Sequence, residues 1–280
     1  MGIPEAALKE IIARALAEDI GSGDLTTTAT VDAVAECRAE IVAKADGVIA
    51  GMPVAKTTFK TLNSGVEFEP LVREGAWVSE GTVVARVAGN ARGILTAERT
   101  ALNFLQRISG IATLTAEYVQ AIDGTKARIV DTRKTAPGLR VLDKYAVHAG
   151  GGFNHRIGLF DGVLIKDNHL RAAGGVGEAV RRAKTAVHHM VKVEVEVQTL
   201  DEVEEALDAE ADLILLDNMT LDEIREAVEI IGGRCQTEVS GGISLDTVSA
   251  TAECGVDFIS VGALTHSAPA LDLSLEIADD

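Results

Sequence analysis

Apolar residues recur at helical spacing near the start of the chain. Leu8, Ile11, Ile12, Ala15 and Leu16 share one face of a helix predicted over Pro4–Asp19, and Gly21-Ser22-Gly23 stops it. From Val31 to Gly89 the pattern is strand-like, with turns at Asp46-Gly47, Glu74-Gly75 and Glu80-Gly81 and a short helix over Pro53–Leu62. Thr96 to Thr115 is helical again, with Ala101, Phe104, Leu105, Ile108, Ile111 and Ala112 in register and a break expected near Gly110.

After Gly124 short apolar strands alternate with helices. The pattern predicts strands at Arg128–Asp131, Gly162–Lys166, Lys192–Val197, Leu213–Asp217, Thr237–Ser240 and Phe258–Val261. Thr199 with Glu202, and Thr220 with Glu223, have the spacing of capping boxes at the starts of two helices. Such alternation implies a parallel sheet. Six or seven units in about 150 residues fall short of a full eight-stranded barrel of roughly 250 residues. An incomplete α/β barrel therefore fits better than a doubly wound sheet, although periodicity alone does not decide.

Hydrophobic residues make up 47 % of the 280 positions, enough for a sizeable core, but aromatics are only 3 %, so Ala, Val, Leu and Ile must fill it. No apolar run approaches the roughly 20 residues that span a bilayer. The start of the chain carries Glu5, Lys9, Arg14 and Glu18, unlike a signal peptide. Cys37, Cys235 and Cys254 are odd in number and lack metal-ligand spacing, which reads as reduced thiols in a cytoplasmic protein.

The net charge of −17 argues against nucleic-acid partners, which require a cationic surface. Arg92 to Lys166 nevertheless holds eleven Lys/Arg against six Asp/Glu. A basic stretch in an acidic protein suggests a focused anion site.

In α/β barrels the C-terminal ends of the strands line the site. Here they read Asp131-Thr132-Arg133-Lys134, Lys166-Asp167-Asn168-His169, Asp217-Asn218, Ser240-Gly241-Gly242 and Gly262-Ala263. Glu194 and Glu196 share one face of an alternating strand, and buried carboxylates must be paired or bind a cation. Glu196 and Asp217 suit Mg²⁺ held mainly through substrate phosphates and water. For Glu194 a bridge to Lys134, Lys166 or Lys192 is an equal alternative. The glycine turns after Ser240 and at Gly262 let backbone N–H groups approach a phosphate. Arg99, Arg133, Lys134, His155, Arg156 and Lys166 form a basic set suited to a substrate with several negative charges, and the glycine-rich stretch from Ala149 reads as a flexible loop delivering His155 and Arg156.

Eight segments carry a family resemblance along the chain, in order: EDIGSGDLTT (Glu18–Thr27), TAERTALNFLQRISGIAT (Thr96–Thr113), DTRKTAPGLR (Asp131–Arg140), KYAVHAGGGFNHRIGLFDGVLIKDNH (Lys144–His169), EVEV (Glu194–Val197), ILLDNM (Ile214–Met219), EVSGGI (Glu238–Ile243) and VGALTHS (Val261–Ser267). In these the chain resembles the quinolinate phosphoribosyltransferases, and the DTRKT and GGGFNHRIGLFDGVLIKDNH blocks are the most specific. The resemblance implies an α+β open-faced sandwich over residues 1–112, an about seven-stranded α/β barrel over 113–267, and a C-terminal segment, 268–280, that packs back on the sandwich. It also implies a homodimer, alone or within a larger assembly, with active sites shared between subunits and Arg99 lent by the neighbour, Arg133 being a second candidate for such a loan.

By the same resemblance Arg133, His155, Arg156 and Lys166 grip the two carboxylates of quinolinate, with Arg99 assisting. Lys134, Glu196 and Asp217 handle phosphoribosyl diphosphate and its Mg²⁺, and Lys134, Lys166, Glu196 and Asp217 form the catalytic set. Ser240, Gly241, Gly242, Gly262 and Ala263 hold the ribose 5-phosphate. The rival readings are a molybdenum-transport-associated homologue, a nicotinate phosphoribosyltransferase with a one-carboxylate substrate, and a lipoyl-type carrier hairpin around Gly47. The number of arginines favours a substrate with two carboxylates, and Lys44 lies too close to Gly47 for a carrier lysine.

Overall fold

A computed structural model describes residues 2–278, which divide into two units. One comprises the residues up to 116, 135–151 and those from 264 on; the other comprises 117–134 and 152–263.

In the first unit, helix α1 (Glu5–Ile20) buries Leu8, Ile12 and Leu16, the face the spacing predicts. Helix α2 (Leu25–Thr30) has no apolar period to announce it and is nucleated by its cap, the Asp24 carboxylate accepting the Thr27 N–H at 2.9 Å. Strand β1 (Glu36–Ala43) is followed by β2 (Gly47–Ile49), helix α3 (Met52–Leu62), β3 (Glu67–Pro70), β4 (Ala76–Val78) and β5 (Val83–Asn90). The last strand of the chain, β12 (Leu273–Ile277), returns to pair antiparallel with β1, from Ala43 against Leu273 to Ala39 against Ile277. The sheet order is β12-β1-β5-β3, with β2 and β4 as a separate antiparallel pair. Ile41, Phe59, Val84, Val87, Ile94, Leu102 and Leu105 anchor its core, without a tryptophan.

The long helix α4 (Ala91–Ala121) passes through Gly110 without the expected break. Gly110 is there for a close crossing instead. A Cβ at this position would lie 2.0 Å from the carbonyl oxygen of Pro269. The crossing segment is tied down by Leu271 N–H donating to Gln106 O at 3.0 Å and by Gln106 Nε2 donating to Leu273 O at 2.8 Å. Helix α5 (Arg140–Ala149) also belongs to this unit, where Arg107 forks onto the buried Asp143 at 3.0 and 2.9 Å.

The second unit is a parallel sheet of six strands: β6 (Arg128–Val130), β7 (Val163–Ile165), β8 (Val193–Val197), β9 (Leu213–Asp217), β10 (Gln236–Ser240) and β11 (Phe258–Ser260), in the order β6-β11-β10-β9-β8-β7. All six are the strands read from the sequence. A seventh is reduced to one residue: Phe153 bridges Val130, its N–H donating to Ile129 O and its carbonyl accepting from Asp131 N–H. Among the described residues nothing pairs Phe153 with β7, so the sheet stays open on that side, as an incomplete barrel should.

Helices α6 (Asp167–Ala173), α7 (Val176–Ala186), α8 (Leu200–Asp208), α9 (Leu221–Ile231) and α10 (Leu245–Glu253) follow their strands, and α11 (Ala263–His266) begins at the last one. Thr220 and Glu223 form the expected reciprocal cap. Thr199 accepts the Glu202 N–H, while the Glu202 carboxylate takes the N–H of Gln198 rather than that of Thr199. No helix among the described residues is long and apolar enough to cross a membrane.

Candidate active site

Strand parity builds the site. On β8, Val193, Val195 and Val197 are fully buried on one face, which leaves Glu194 and Glu196 on the other. Register extends that inner face sideways: Glu194 stands beside Leu213, Glu196 beside Leu215, Leu215 beside Glu238, Glu238 beside Phe258, and Asp217 beside Ser240. Two cavities lie along this interior. One of about 440 Å³ is lined by residues from the strand starts, among them Lys192, Leu213, Gln236 and Phe258. The other, of about 310 Å³, is lined from the strand ends by Asp131, Thr132, Arg133, Lys134, Lys166 and Ser240. His155, Arg156 and Glu238 border both. The smaller cavity is the candidate active site, because the cations and the barrel's C-terminal rim are there.

Arg133, Lys134, Arg156 and Lys166 thus converge from three separate stretches of chain. The Nε–H groups of Arg133 and Arg156 are both buried without a hydrogen-bond partner. Burial pulls the Arg156 pKa down, and repulsion from Arg133 lowers it further, with Glu194 and Asp161 opposing. Two half-buried guanidiniums held against each other, with donors to spare, are a site charged for an anion. Arg156 is steadied by Nη1 donating to Gly162 O at 3.0 Å. Lys166 Nζ lies 2.6 Å from Glu196 Oε2, one of the lysine bridges the sequence allowed for this strand.

Asp217 accepts from Asn218 Nδ2 at 2.8 Å and Gln198 Nε2 at 3.4 Å. Gly241 and Gly242 turn the chain with φ of 101° and 62°, and around Gly242 the space is open. Ser240 lines the cavity. Gly241, Gly242, Gly262, Ala263, Glu196 and Asp217 flank those lining residues in sequence or pair with them and are not themselves in the lining. Arg99 is exposed on α4, in the other unit, and is not in the lining either.

The loop after Ala149 is pinned rather than flexible. Asp131, fully buried, accepts from Asn154 Nδ2 at 2.7 Å and from the His155 backbone N–H at 2.8 Å. His155 Nε2 meets Glu194 Oε2 at 2.9 Å and stands 3.7 Å from Glu238 Oε2. Glu194 is therefore held by a histidine and not by a lysine, because Lys166 is taken by Glu196 and Lys192 by Gln236 at 2.6 Å. The sequence placed Asp131 at a strand end that lines the site but gave it no role, and Glu238 was passed over. Parity had the signal for Glu238: it lies two residues before Ser240 on the same strand, so it must share the inner face. Burial, then the Glu194 carboxylate, pushes Glu238 up to about 8, with His155 (when its ring is charged), the Ser260 hydroxyl and Lys166 pulling the other way.

Known proteins share this sequence and architecture over nearly its whole length. A probable nicotinate-nucleotide pyrophosphorylase (carboxylating) of Bacillus subtilis is 44 % identical over 96 % of this chain and 93 % of its own. A quinolinate phosphoribosyltransferase (decarboxylating) of Nicotiana tabacum is 46 % identical over 98 % of this chain and 83 % of its own. The solved nicotinate-nucleotide pyrophosphorylase from Francisella tularensis superposes with a TM-score of 0.95 at 42 % identity, covering 99 % of this chain and 98 % of that one. The N-terminal domain of quinolinate phosphoribosyl transferase matches residues 24–109, and its C-terminal domain matches 111–276. The chain belongs to the quinolinate phosphoribosyl transferase family.

Proposed function

We propose that this protein transfers the phosphoribosyl group of phosphoribosyl diphosphate to quinolinate with loss of CO₂, giving nicotinate mononucleotide and diphosphate for NAD biosynthesis. The observation that carries the reading is the pair of buried, unpartnered Nε–H groups on Arg133 and Arg156 in a cavity at the strand ends. A planar dicarboxylate matches two guanidinium forks in a way that a one-carboxylate ring does not.

Each residue then has a task. Arg133, Arg156 and Lys166 hold the ring carboxylates and set the ring nitrogen toward the sugar, with His155 at the cavity wall. Lys134, at the exposed rim, meets the diphosphate that leaves as the nitrogen attacks. Glu196 and Asp217 present carboxylate oxygens where positive charge develops on the ribose. The backbone N–H groups of the turns at Ser240–Gly242 and Gly262–Ala263 receive the 5-phosphate. Once the nitrogen is alkylated and positive, the adjacent carboxylate leaves as CO₂. The electron pair left on the ring carbon is stabilised by that nitrogen until a proton replaces it.

Mg²⁺ is part of the proposal. Glu196 and Asp217 lie on the inner face of neighbouring strands, and two carboxylates suit an ion held otherwise by phosphates and water. When bound it supplies positive charge to the departing diphosphate. The protein is also proposed to work as a homodimer in the cytoplasm. Arg99, exposed on the other unit, supports a residue lent by a second copy, and three free cysteines support a reducing compartment.

Purified protein incubated with phosphoribosyl diphosphate, Mg²⁺ and either quinolinate or nicotinate tests the reading. CO₂ and mononucleotide should appear together from quinolinate. Turnover of nicotinate alone, or of neither, refutes it.

A further inference from the structure

His155, Glu194 and Glu238 have the composition of a divalent-cation site, with ligand atoms within 4.8 Å of one another. Their hydrogen bonds exclude that use. The N–H of Arg156 donates to His155 Nδ1 at 2.8 Å, so Nδ1 keeps its lone pair and cannot carry a proton. The one proton of the ring is therefore on Nε2, where it faces Glu194 Oε2 at 2.9 Å. A cation at Nε2 would have to displace the only proton of a neutral imidazole. A doubly protonated ring would drive Nδ1–H against the N–H of Arg156.

The same bonds leave His155 no ring nitrogen for a substrate. Its backbone N–H is given to Asp131 as well. Two of its three nitrogens thus donate to buried carboxylates, and the third receives the backbone of Arg156. We propose that Glu194 and Asp131 are positioning residues that lock His155 as a neutral Nε2–H strut, so that the strut aims Arg156 at the substrate carboxylate and the imidazole itself does not bind it. This rests on the reaction proposed above and changes the part His155 plays in it.

The chemistry around the strut agrees. With the ring neutral, only one N–H lies between two buried carboxylates, and Glu194 has the shorter contact. Glu238 is then left to hold its own proton, the direction in which burial and Glu194 push it. The Glu194 carboxylate lies where it supports the charge of Arg156. The arrangement has the logic of a carboxylate fixing a histidine's tautomer, turned toward a guanidinium instead of a nucleophile.

Two measurements test the strut. In ¹⁵N-histidine-labelled wild-type protein, the His155 resonances, assigned by their loss in His155→Gln, should report the neutral Nε2–H tautomer at neutral pH. A Nδ1–H or doubly protonated ring overturns the proposal. Kinetically, Glu194→Met removes the acceptor at similar volume, whereas Glu194→Gln keeps an acceptor oxygen. Glu194→Met should raise KM for quinolinate on the order of tenfold to a hundredfold. KM for phosphoribosyl diphosphate should change less than about twofold, and Glu194→Gln should recover most of the loss. A folded Glu194→Met with unchanged KM for quinolinate also overturns it. If that variant does not fold, the wild-type tautomer decides. If wild-type protein does not turn over quinolinate, the proposed reaction fails while the resonance still reports on the strut.

Discussion

Asn218 and Gly241 are packed so closely at the barrel rim that a Cβ on Gly241 would lie 2.2 Å from Asn218 Oδ1 and 3.0 Å from its backbone nitrogen. Asn218 is itself held in a left-handed conformation, φ 57°, by its N–H donating to Ser240 O at 3.0 Å, and its amide supports Asp217. One contact thus couples the end of β9 to the turn after β10. Gly241→Ala must push Asn218 away and adopt a φ of 101° that alanine resists. We expect a loss of about 1–3 kcal/mol in stability. Because Asp217 and the turn proposed to receive the phosphate move together, KM for phosphoribosyl diphosphate should rise at least about tenfold, with KM for quinolinate little changed. Denaturant melts and initial-rate kinetics measure both, and equal effects on the two substrates would contradict the coupling.

Arg133→Ala should abolish measurable decarboxylation, and Arg133→Lys should restore only a small part of it. The lysine returns the charge but not the fork, and on the proposed reading the buried, unpartnered Nε–H of Arg133 is part of that fork. Removing a charged hydrogen-bond partner of a bound carboxylate costs about 1.5–3 kcal/mol, so kcat/KM for quinolinate should fall at least about tenfold in the lysine variant. Release of CO₂ from carboxyl-labelled quinolinate measures this, and near-normal turnover by either variant would remove Arg133 from the carboxylate site.

Glu238 gives a pH signature. An ordinary glutamate ionises near 4.5, whereas in the folded protein burial and Glu194 raise this one to about 8. Between those values the folded state keeps a proton that the unfolded state has released. Stability therefore falls as pH rises through this window, by at most about 1.4 kcal/mol per unit, and levels off above it. The neutral strut at His155 strengthens the effect, since an uncharged ring does not pull the pKa down. Glu238→Gln lacks the penalty. Its stability relative to wild type should climb from pH 5 to pH 8 in urea melts, and parallel curves would show that Glu238 is ionised throughout.

How much of this was legible in the sequence differs by kind of interaction. The six strands of the second unit were readable because short apolar runs between turn residues repeat the same local rule. Helix α2 was not, because LTTTAT forms on a cap and has no periodic face. Gly110 was misread as a breaker because the residue that needs its missing Cβ, Pro269, lies far along the chain. At the site, the end-of-strand position marked Arg133, Lys134, Lys166 and Asp217. The partner of Glu194 was not legible, because parity says which way a carboxylate points but not which loop residue comes to meet it.

Arg99 separates a self-sufficient subunit from a shared site. It is exposed on α4 and absent from the lining of the cavity, whereas Glu196 pairs with Lys166, which is in that lining. If a second copy lends Arg99, then Arg99→Ala and Glu196→Ala damage opposite halves of the same composite site. Each homodimer would be inactive, with both sites carrying the lesion. In a mixed dimer one site would collect both lesions and the other neither. With random exchange, half of the dimers are mixed and each has one intact site, so mixed protein should regain about a quarter of wild-type activity per total site. Differently tagged subunits, co-purified to isolate the heterodimer, should recover about half. Confirmed heterodimers with no activity would place Arg99 and Glu196 in one chain's own site, whereas an active Arg99→Ala homodimer would remove Arg99 from the site altogether.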